Sequence, residues 1–308
     1  MSKQETALES SGVLIVNKHA GVTSHDIVNK IRRLYGTRRV GHTGTLDPMA
    51  TGVLVVLVGR AAKASEYLVS DSKRYRATLR LGLTTDTEDI TGTVLTTCEE
   101  IPDLAALEAV LPRFRGKIQQ IPPMYSALKV GGKKLVDLAR QGQTLERQAR
   151  EIEIFELSAT PTDTATDVIL DVKCSGGTYI RTLCADIGAA LGCGGVMASL
   201  ERREACGFPI EQAHTVSEIE EMSIEERISL LISTESLFAS LPAVRLPVFY
   251  EKLCRSGCEI YQKKIGTSLP LGARVRICTE KGEFFALGEV KDYENGLAVK
   301  AIKTFCLE

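Results

Sequence analysis

The sequence lacks features that mark several protein classes. No run of about 18 uninterrupted apolar residues occurs in the 308-residue chain, so a transmembrane helix is not expected. No internal repeat or low-complexity tract stands out, and a composition of 44% apolar and 25% charged residues excludes a collagen-like, mucin-like or wholly disordered chain. Residues 1–10 resemble neither a secretory signal nor an arginine-rich transit peptide. We therefore expect a globular, cytoplasmic protein.

The chain also lacks a surplus of either charge, with 38 Lys and Arg against 39 Asp and Glu. Nucleic-acid-binding proteins usually carry a basic surplus, so the total argues against such a partner. The charges are segregated, however. Residues 113–150 contain nine basic and two acidic side chains, whereas residues 217–240 contain six Glu and one Arg. This distribution, rather than the net charge, bears on the partner.

The cysteines indicate neither a disulfide framework nor a metal site. Their number, nine, is odd and their spacing is irregular, which is typical of a reducing compartment. The closest pair, Cys254 and Cys258, has no second pair of ligands at a similar spacing, as a zinc site would need. We expect the cysteines to be small buried hydrophobic residues.

Strand and helix signals are interleaved irregularly rather than as strict βαβ units, which predicts an α+β fold with a mixed sheet. Ser24 is the expected N-cap of the first helix, because apolar residues follow it with a period of 3.6. The strand signals cover residues 13–16, 53–58, 75–81, 93–97, 152–157 and 168–174, and the helix signals cover residues 27–34, 104–111 and 179–191.

The C-terminal third has a different organisation. Residues 217–236 have an apolar stripe among glutamates, which predicts one solvated helix. Residues 240–247 contain two prolines and are interpreted as a linker. Short strand signals at residues 275–278, 284–290 and 297–302 are separated by Gly turns, which predicts a small all-β module.

The most unusual segment is the loop of residues 41–52, which has three Gly, three Thr and one Pro between a basic helix and a buried strand. Glycine permits close approach of a partner to the backbone, and Pro48 biases Asp47 toward an extended conformation. On spacing alone, a surface turn in which Asp47 makes an Asx hydrogen bond is favoured over a functional carboxylate. No Lys-Ser or Lys-Thr follows the glycines, so the loop is not a P-loop.

Three other segments combine aromatic, basic and turn-forming residues. Residues 73–77 place Tyr75 among three cations, where the ring can stack on a base and the cations can bind phosphates. Residues 122–134 contain two prolines and three lysines, and residues 174–181 bring a Tyr and an Arg to a strand-to-helix junction. Each also has an ordinary interpretation: a charged strand edge, a proline-stiffened loop, and a packed Tyr beside a solvated Arg.

These segments resemble, in the same order, the TruB family of bacterial tRNA pseudouridine synthases. The matching segments are residues 41–54, with the signature Gly-x-x-Gly-Thr-Leu-Asp-Pro, and residues 73–93, 122–140 and 174–200. The resemblance implies isomerisation of uridine 55 in the T loop of tRNA to pseudouridine, without a metal or a cofactor.

The resemblance also implies a domain organisation and a partner. A catalytic domain over residues 1–240 is expected to contain a mixed, mainly antiparallel sheet flanked by helices and loops, with an RNA-gripping insertion at about 113–150. A PUA-like RNA-binding domain is expected over residues 241–308. The expected partner is the T stem-loop of tRNA, bound by a monomer without an obligate protein partner.

The resemblance assigns the chemistry to three residues. Asp47 is the expected nucleophile, which attacks either the ribose C1′ or the uracil C6. Arg181 is expected to form an ion pair with Asp47 and to keep it ionised. Tyr75 is expected to stack on the flipped-out uracil and is a candidate for removing the C5 proton.

Five further residues are assigned to RNA by the resemblance. His42 is expected to lie against the flipped-out loop and to help hold it open. Tyr179 and Leu200 are expected to contact the uridine, Leu200 through its backbone. Lys63 and Lys129 are expected to contact phosphates, which positions RNA without reading its sequence.

Three positions depart from the pattern of the family. His19 stands where Pro is usual, and Val136 stands where a Tyr is common, which removes an RNA-facing aromatic ring. Glu201 stands where an Arg is usual, and its carboxylate would repel phosphate. Arg202 and Arg203 are expected to offset that repulsion.

Three alternative functions remain open from the sequence. A dyskerin-type synthase shares the signature but is guided by a separate RNA and by partner proteins. A tRNA-binding folding factor would need little catalysis. A small-molecule hydrolase using Asp47 has no supporting general-base motif in the sequence.

Overall fold

The computed structural model describes residues 11–305 apart from 69–71, 127, 140 and 144, and describes residues 129, 130, 133 and 134 by their backbone alone. Its strands, in chain order, are β1 (Gly12–Lys18), β2 (Val40–His42), β3 (Thr51–Val58), β4 (Lys73–Leu81), β5 (Leu83–Thr85), β6 (Val94–Thr97), β7 (Gly116–Gln120), β8 (Lys129–Val130), β9 (Lys133–Lys134), β10 (Arg150–Pro161), β11 (Asp167–Cys174), β12 (Gly195–Ala205), β13 (Phe208–Pro209), β14 (His214–Thr215), β15 (Ala243–Leu246), β16 (Ile260–Tyr261), β17 (Arg274–Thr279), β18 (Phe284–Tyr293) and β19 (Gly296–Thr304).

Seven α-helices and five 3₁₀ segments accompany these strands in the described residues. The helices are α1 (Ser24–Leu34), α2 (Leu104–Val110), α3 (Leu135–Ala139), α4 (Ile180–Leu191), α5 (Val216–Glu221), α6 (Ile224–Ser229) and α7 (Val248–Arg255). The 3₁₀ segments are Gly59–Tyr67, Leu111–Phe114, Ile210–Gln212, Thr234–Phe238 and Gln262–Lys264. None of the helices in these described ranges is long and apolar enough to cross a membrane.

The larger of two main sheets has ten strands. Its order is β14-β1-β3-β12-β4-β11-β10-β7, with β2 paired to β3 and β13 paired to β12. Only the β1–β14 and β3–β12 pairings within it are parallel. The prediction of an α+β fold with a mixed, mainly antiparallel sheet is therefore confirmed.

The strand β3 is apolar throughout because both of its faces are covered. Leu54, Val56 and Val58 belong to the apolar cluster on one face of the sheet, which also contains the buried side of α4. Val53 and Leu57 belong to a second cluster on the other face. A strand with two buried faces cannot alternate apolar and polar residues.

The segment predicted as an insertion, residues 113–150, begins and ends next to strands of the main sheet. β7 pairs with β10 from Gln120 opposite Arg150 onward. The chain therefore leaves the sheet between β7 and β10 over residues 121–149. These residues contain the β8–β9 hairpin and α3. They return at its edge, so both ends of the excursion are fixed by hydrogen bonds of the sheet.

The C-terminal residues form a second sheet in the order β15-β17-β18-β19-β16. The interpretation of residues 240–247 as a linker is wrong, because β15 pairs in parallel with β17. This sheet is also packed against the larger one. Phe238 lies 5.9 and 5.7 Å, between ring centroids, from Phe284 and Phe305, within the second apolar cluster of the main sheet.

Two helix predictions are corrected by capping interactions. Residues 217–236 do not form one helix, because Ser223 caps a new helix, α6, and its side chain accepts a hydrogen bond from the backbone of Glu226. The N-cap of α1 is Thr23 rather than Ser24, since the Thr23 hydroxyl accepts from the Asp26 backbone. In both cases a neighbouring hydroxyl satisfies the free N–H groups of the first turn.

The cysteines of the described residues differ in their burial. Cys174, Cys184 and Cys193 are buried, as are Cys254 and Cys278. The expectation of burial is wrong for three others: Cys258 is exposed, and Cys98 and Cys206 are half-buried.

Candidate active site around Asp47

Two side chains, one at the end of β1 and one at the start of α1, form hydrogen bonds with the loop that carries Asp47. The Ser24 hydroxyl, buried at the start of α1, donates to Leu46 O and accepts from Leu46 N. The ammonium group of Lys18, at the end of β1, donates to Ala50 O at 2.6 Å and to Pro48 O at 3.2 Å. Hydrogen bonds on both sides of Asp47 thus fix its backbone.

Arg202 on β12 holds the first half of the same loop. Its guanidinium donates to Val53 O at 2.7 Å and to Gly44 O at 3.0 Å. Gly52 lies directly against its backbone with φ at +96°, and a Cβ at this position would come within 2.3 Å of Arg202 O. A side chain would therefore separate the loop from β12, which explains the glycine.

The Asp47 carboxylate forms an ion pair with Arg181 in the first turn of α4. The distance from Arg181 Nε to Asp47 Oδ2 is 3.0 Å, and that from Nη2 to Oδ1 is 3.5 Å. The start of α4 is fixed by Gln120 of β7, whose side-chain amide donates to Tyr179 O and accepts from Tyr179 N. The end of one strand thereby positions the cation that faces Asp47.

Burial and charge act in opposite directions on Asp47. Burial raises the pKa of the Asp47 carboxyl above its ordinary value, and the carboxylate of Asp89 adds to the rise. Arg181 and Lys18 lower this pKa, but burial outweighs them. The carboxyl group is therefore a stronger base than a solvated aspartate, and Arg181 favours its ionised form.

Asp89 is a charged residue of this site that the sequence analysis missed. Its Oδ2 lies 3.5 Å from Arg181 Nη1, and its Oδ1 accepts from the Thr91 hydroxyl and backbone. Only 5 % of Asp89 is exposed. The Asp-x-Thr spacing of an Asx turn was visible in the sequence, but nothing in it pointed to Arg181.

Asp47 and Arg181 open into a cleft of about 410 Å³, which lies within the size range of small-molecule sites. Tyr75, Tyr179 and Leu200 line the same cleft, as do Thr43, Gly44, Thr45, Leu46, Lys73, Tyr125, Ser126, Val136, Ser175, Gly177, Thr178, Ile180 and Arg202. No group of three or more potential metal ligands occurs among the described residues.

Three predicted contact residues lie in or beside the cleft. Tyr75 on β4 is 7 % exposed, and burial raises the pKa of its phenol. The carbonyl of Leu200 on β12 lies 3.4 Å from the Thr51 hydroxyl. His42 directly precedes the cleft residue Thr43; its Nδ1 is buried without a partner in the described residues, and burial lowers the pKa of the ring.

Of the two residues predicted to contact phosphates, Lys63 and Lys129, only Lys63 has a described side chain, and it lies outside the cleft. Lys63 is not among the residues lining the cleft; it lines a separate cavity of about 720 Å³ together with Arg38, Arg39 and Arg60. The side chain of Lys129 lies outside the described part of the structure.

The structure shows the surroundings of two positions that depart from the family pattern, Val136 and Glu201. Val136 lines the cleft, so the position of the missing aromatic ring is in the site itself. The expectation that Arg202 offsets the charge of Glu201 toward RNA is wrong, because Arg202 is 1 % exposed and holds the loop. Glu201 is instead neutralised by Arg203, at 2.9 Å between Nη1 and Oε2.

Comparisons with known proteins assign the chain to a family. Residues 32–180 match the model of the N-terminal domain of the TruB family of pseudouridylate synthases, and residues 181–238 match that of a tRNA pseudouridylate synthase B C-terminal domain. The fold with its central carboxylate cleft therefore defines the class as pseudouridylate synthases, whose reaction is an isomerisation. The chain belongs to the TruB family.

Individual relatives agree with this assignment. The tRNA pseudouridine synthase B of Francisella tularensis subsp. novicida is 39% identical over 289 residues, 93% of each chain. That of Francisella philomiragia is 43% identical over 245 residues, 79% of this chain and 81% of the relative. The crystal structure of a Cbf5-Nop10-Gar1 complex has a chain with a TM-score of 0.75 and 25% identity, covering 99% of this chain and 88% of its own.

Proposed function

We propose that this chain converts uridine 55 in the T loop of tRNA to pseudouridine, with Asp47 as the nucleophile. The observation that carries the proposal is the Asp47–Arg181 ion pair at 3.0 Å in a cleft that Tyr75 and Tyr179 also line. The relatives named tRNA pseudouridine synthase B support the choice of tRNA as the substrate.

The reaction breaks the N1–C1′ bond of the uridine and forms a C5–C1′ bond, so that the product is an isomer of the substrate. Asp47 attacks C1′ or C6 and forms a transient covalent bond, and the freed base turns within the cleft. The bond to Asp47 breaks again as C5 takes the place of N1 on C1′, and N1 gains a proton while C5 loses one. Tyr75 supplies the face on which the base stacks. Burial raises the pKa of the Tyr75 phenol, so the phenolate that would accept the C5 proton is less populated than in a solvated tyrosine, and we propose stacking as its main role.

The remaining roles concern the RNA around the flipped base. Tyr179 and the backbone of Leu200 contact the uridine, and His42 lies against the opened loop. Because burial lowers the pKa of His42, the ring acts there as a neutral group with an unpaired buried nitrogen. Lys63 and Lys129 contact phosphates.

The whole molecule is proposed to act as a cytoplasmic monomer. A catalytic domain over residues 1–240 carries the cleft and an RNA-gripping excursion, and a PUA-like domain over residues 241–308 adds RNA contacts. The basic residues concentrated in 113–150 support the first of these roles.

The variant Asp47→Asn tests the nucleophile. It keeps the size of the side chain, removes the charge and replaces one acceptor oxygen facing Arg181 with an NH2 donor, so we expect the rate to fall by about 10⁴-fold or more without loss of tRNA binding. Pseudouridine is mapped by site in a tRNA transcript, and binding is measured separately. A variant that still forms pseudouridine at the wild-type rate would refute the assignment, and unchanged tRNA folding activity would favour a folding factor.

A guide-dependent synthase is the second candidate, because a Cbf5 complex shares the fold. The purified chain and an unmodified tRNA transcript distinguish the two. Activity without any other RNA or protein is expected; activity that appears only after a guide RNA is added would favour the second candidate.

A further inference from the structure

One buried hydroxyl in the cleft, that of Ser126, lacks a hydrogen-bond partner among the described residues. Ser126 is 5 % exposed and lines the cleft together with Asp47. In the part of the chain that the structure describes, four buried side-chain nitrogen or oxygen atoms are without a partner, and Ser126 Oγ is the one that belongs to a residue of the cleft. Burial of an unpaired hydroxyl is unfavourable, so the hydroxyl is expected to find a partner in another state of the protein.

Other polar side chains of the cleft already bind protein groups. Arg181 and Arg202 donate to carboxylates and to backbone carbonyls. The hydroxyl of Ser175 accepts from Glu153 N at 2.9 Å. The Ser126 hydroxyl is therefore available for a group that enters the cleft from outside the protein.

The backbone around Ser126 fixes the position of this hydroxyl. Ser126 N donates to Met124 O at 2.9 Å, and Ser126 O accepts from Val136 N at 3.0 Å. The carbonyl of the preceding residue, Tyr125, accepts from Arg181 Nη2 at 2.8 Å. Because consecutive Cα atoms lie about 3.8 Å apart, Ser126 is held next to the guanidinium that faces the proposed nucleophile.

The base is the part of a flipped-out nucleotide that enters an enzyme pocket most deeply, because the ribose stays joined to the RNA backbone. Enzymes read such a base by hydrogen bonds to its Watson–Crick edge. In uracil the carbonyl oxygens O2 and O4 flank the N3–H group, and a serine hydroxyl has one O–H to donate. A hydroxyl as deeply buried as that of Ser126 therefore matches a base carbonyl better than it matches the ribose.

We propose that Ser126 donates a hydrogen bond to a carbonyl oxygen of the flipped-out uracil and is thus a further substrate-contacting residue of the reaction. The inference rests on the proposed function. Ser126 belongs to residues 121–149, which leave the sheet between β7 and β10. This segment accordingly contacts the target base itself and not only the surrounding RNA.

A double-substitution cycle between the protein and the RNA tests the contact. The value of kcat/KM is measured for wild type and Ser126→Ala with stem–loop RNAs that carry uridine, 2-thiouridine, 4-thiouridine or 2′-deoxyuridine at the target position. With uridine we expect wild type to exceed the variant by about 10-fold, because a buried carbonyl loses its donor. Sulfur accepts hydrogen bonds more weakly than oxygen, so this ratio should approach 1 when sulfur replaces the contacted oxygen.

The other RNAs distinguish the possible partners of the hydroxyl. The ratio is expected to stay near about 10 with sulfur at the other carbonyl and with 2′-deoxyuridine. A ratio that collapses with 2′-deoxyuridine alone would place the hydroxyl on the ribose and overturn the proposal. A ratio near 1 with uridine itself would show that Ser126 makes no productive contact and would also overturn it.

Two further measurements separate a substrate contact from a structural role. Ser126→Ala is expected to keep the wild-type stability in urea and the acidic limb of the pH–rate profile, because it removes neither an internal hydrogen bond nor a charge. The control Ser175→Ala removes a hydroxyl that the backbone uses, so it should lower stability and give one ratio for all four RNAs. The same pattern in Ser126→Ala, or a shifted acidic limb, would mean that Ser126 acts through the fold or through Arg181.

A second variant and a second readout keep the test decisive. Ser126→Cys nearly preserves the volume and keeps only a weak donor, and it replaces Ser126→Ala in the cycle if the latter does not fold. Wild-type activity on the uridine stem–loop tests the proposed function. If no pseudouridine forms, that function fails, and the same ratios taken from dissociation constants decide the contact.

Discussion

The guanidinium of Arg181 contacts four polar groups, and together these contacts fix its position beside Asp47. Besides Asp47, its guanidinium contacts Asp89 and donates to Thr87 O at 3.3 Å and to Tyr125 O at 2.8 Å. The two carbonyl groups and Asp89 hold the group in place, so that its charge faces Asp47 in a fixed geometry. A planar guanidinium can make these contacts at once, whereas a lysine ammonium cannot.

The variant Arg181→Met is expected to move the acidic limb of the pH–rate profile. As the proposed nucleophile, Asp47 acts in its ionised form, so we expect kcat/KM to fall as the pH drops through the pKa of Asp47. Without Arg181, burial is opposed by Lys18 alone and the pKa of Asp47 rises further. We expect the acidic limb to shift to higher pH by about 1–3 units, since this is the usual effect of an opposite charge within about 4–6 Å.

The measurement is kcat/KM between about pH 5 and 9 with a stem–loop RNA. The control variant Arg76→Met removes an exposed arginine that pairs with Asp171, and its profile is expected to match wild type. An unshifted acidic limb in a folded Arg181→Met protein would mean that Arg181 does not control the charge of Asp47.

The break in the acidic C-terminal segment is stabilised by a single arginine. Arg227 on α6 donates to Ile219 O and Glu220 O at 2.8 Å and to Leu34 O at 3.1 Å. These carbonyl groups belong to α5 and to the end of α1, where helices leave carbonyls without partners. Arg227 thereby joins α5 and α6 to α1, the helix whose Ser24 hydroxyl holds the loop that carries Asp47.

Arg227→Met is expected to lower the free energy of unfolding by about 2 kcal/mol, because three carbonyl groups lose a charged donor. Urea unfolding measures this change. Arg33→Met, on the exposed side of α1, serves as the control and is expected to change stability by less than about 0.5 kcal/mol. Equal stabilities of the two variants would show that the carbonyls are adequately solvated without Arg227.

At the level of elements, the sequence predicted what depends on local pattern. Apolar runs located β3 and most of β4, and the helix predicted over residues 179–191 is found at Ile180–Leu191. The linker at 240–247 was wrong because β15 depends on pairing with β17, about 30 residues away in the chain. Pattern could not reveal that contact.

The site shows the same division between local and distant information. The loop around Asp47 was singled out by its composition, but its ion pair with Arg181 joins residues 134 positions apart and was expected only from family resemblance. Lys18 and Arg202 were not recognised as supports of the loop, since Lys and Arg are rarely buried and their hydrogen-bonded carbonyls carry no sequence signal.

On the scale of the whole molecule, the two sheets share apolar surface. Phe284 and Phe305 of the C-terminal part lie 5.5 Å apart between ring centroids and both pack on Phe238. Leu287 belongs to the same cluster as Val53 of β3. Arg276 of the C-terminal sheet also forms an ion pair with Glu235, with 2.7 Å between Nη1 and Oε1. The C-terminal sheet therefore covers part of the core of the larger sheet.

Deletion of residues 241–308 is accordingly expected to destabilise the remaining domain as well as to remove the RNA contacts proposed for that part. Phe238, now 3 % exposed, and its neighbours in the cluster would face water, and loss of a buried Phe contact typically costs about 3–5 kcal/mol. Urea unfolding and gel filtration of the truncated chain measure the loss. The double variant Lys263→Gln/Lys264→Gln, which changes two exposed lysines of the C-terminal part, keeps the interface and isolates any effect on RNA affinity. A truncated chain that is monomeric and as stable as the full chain would contradict the shared core and assign the C-terminal sheet to RNA binding alone.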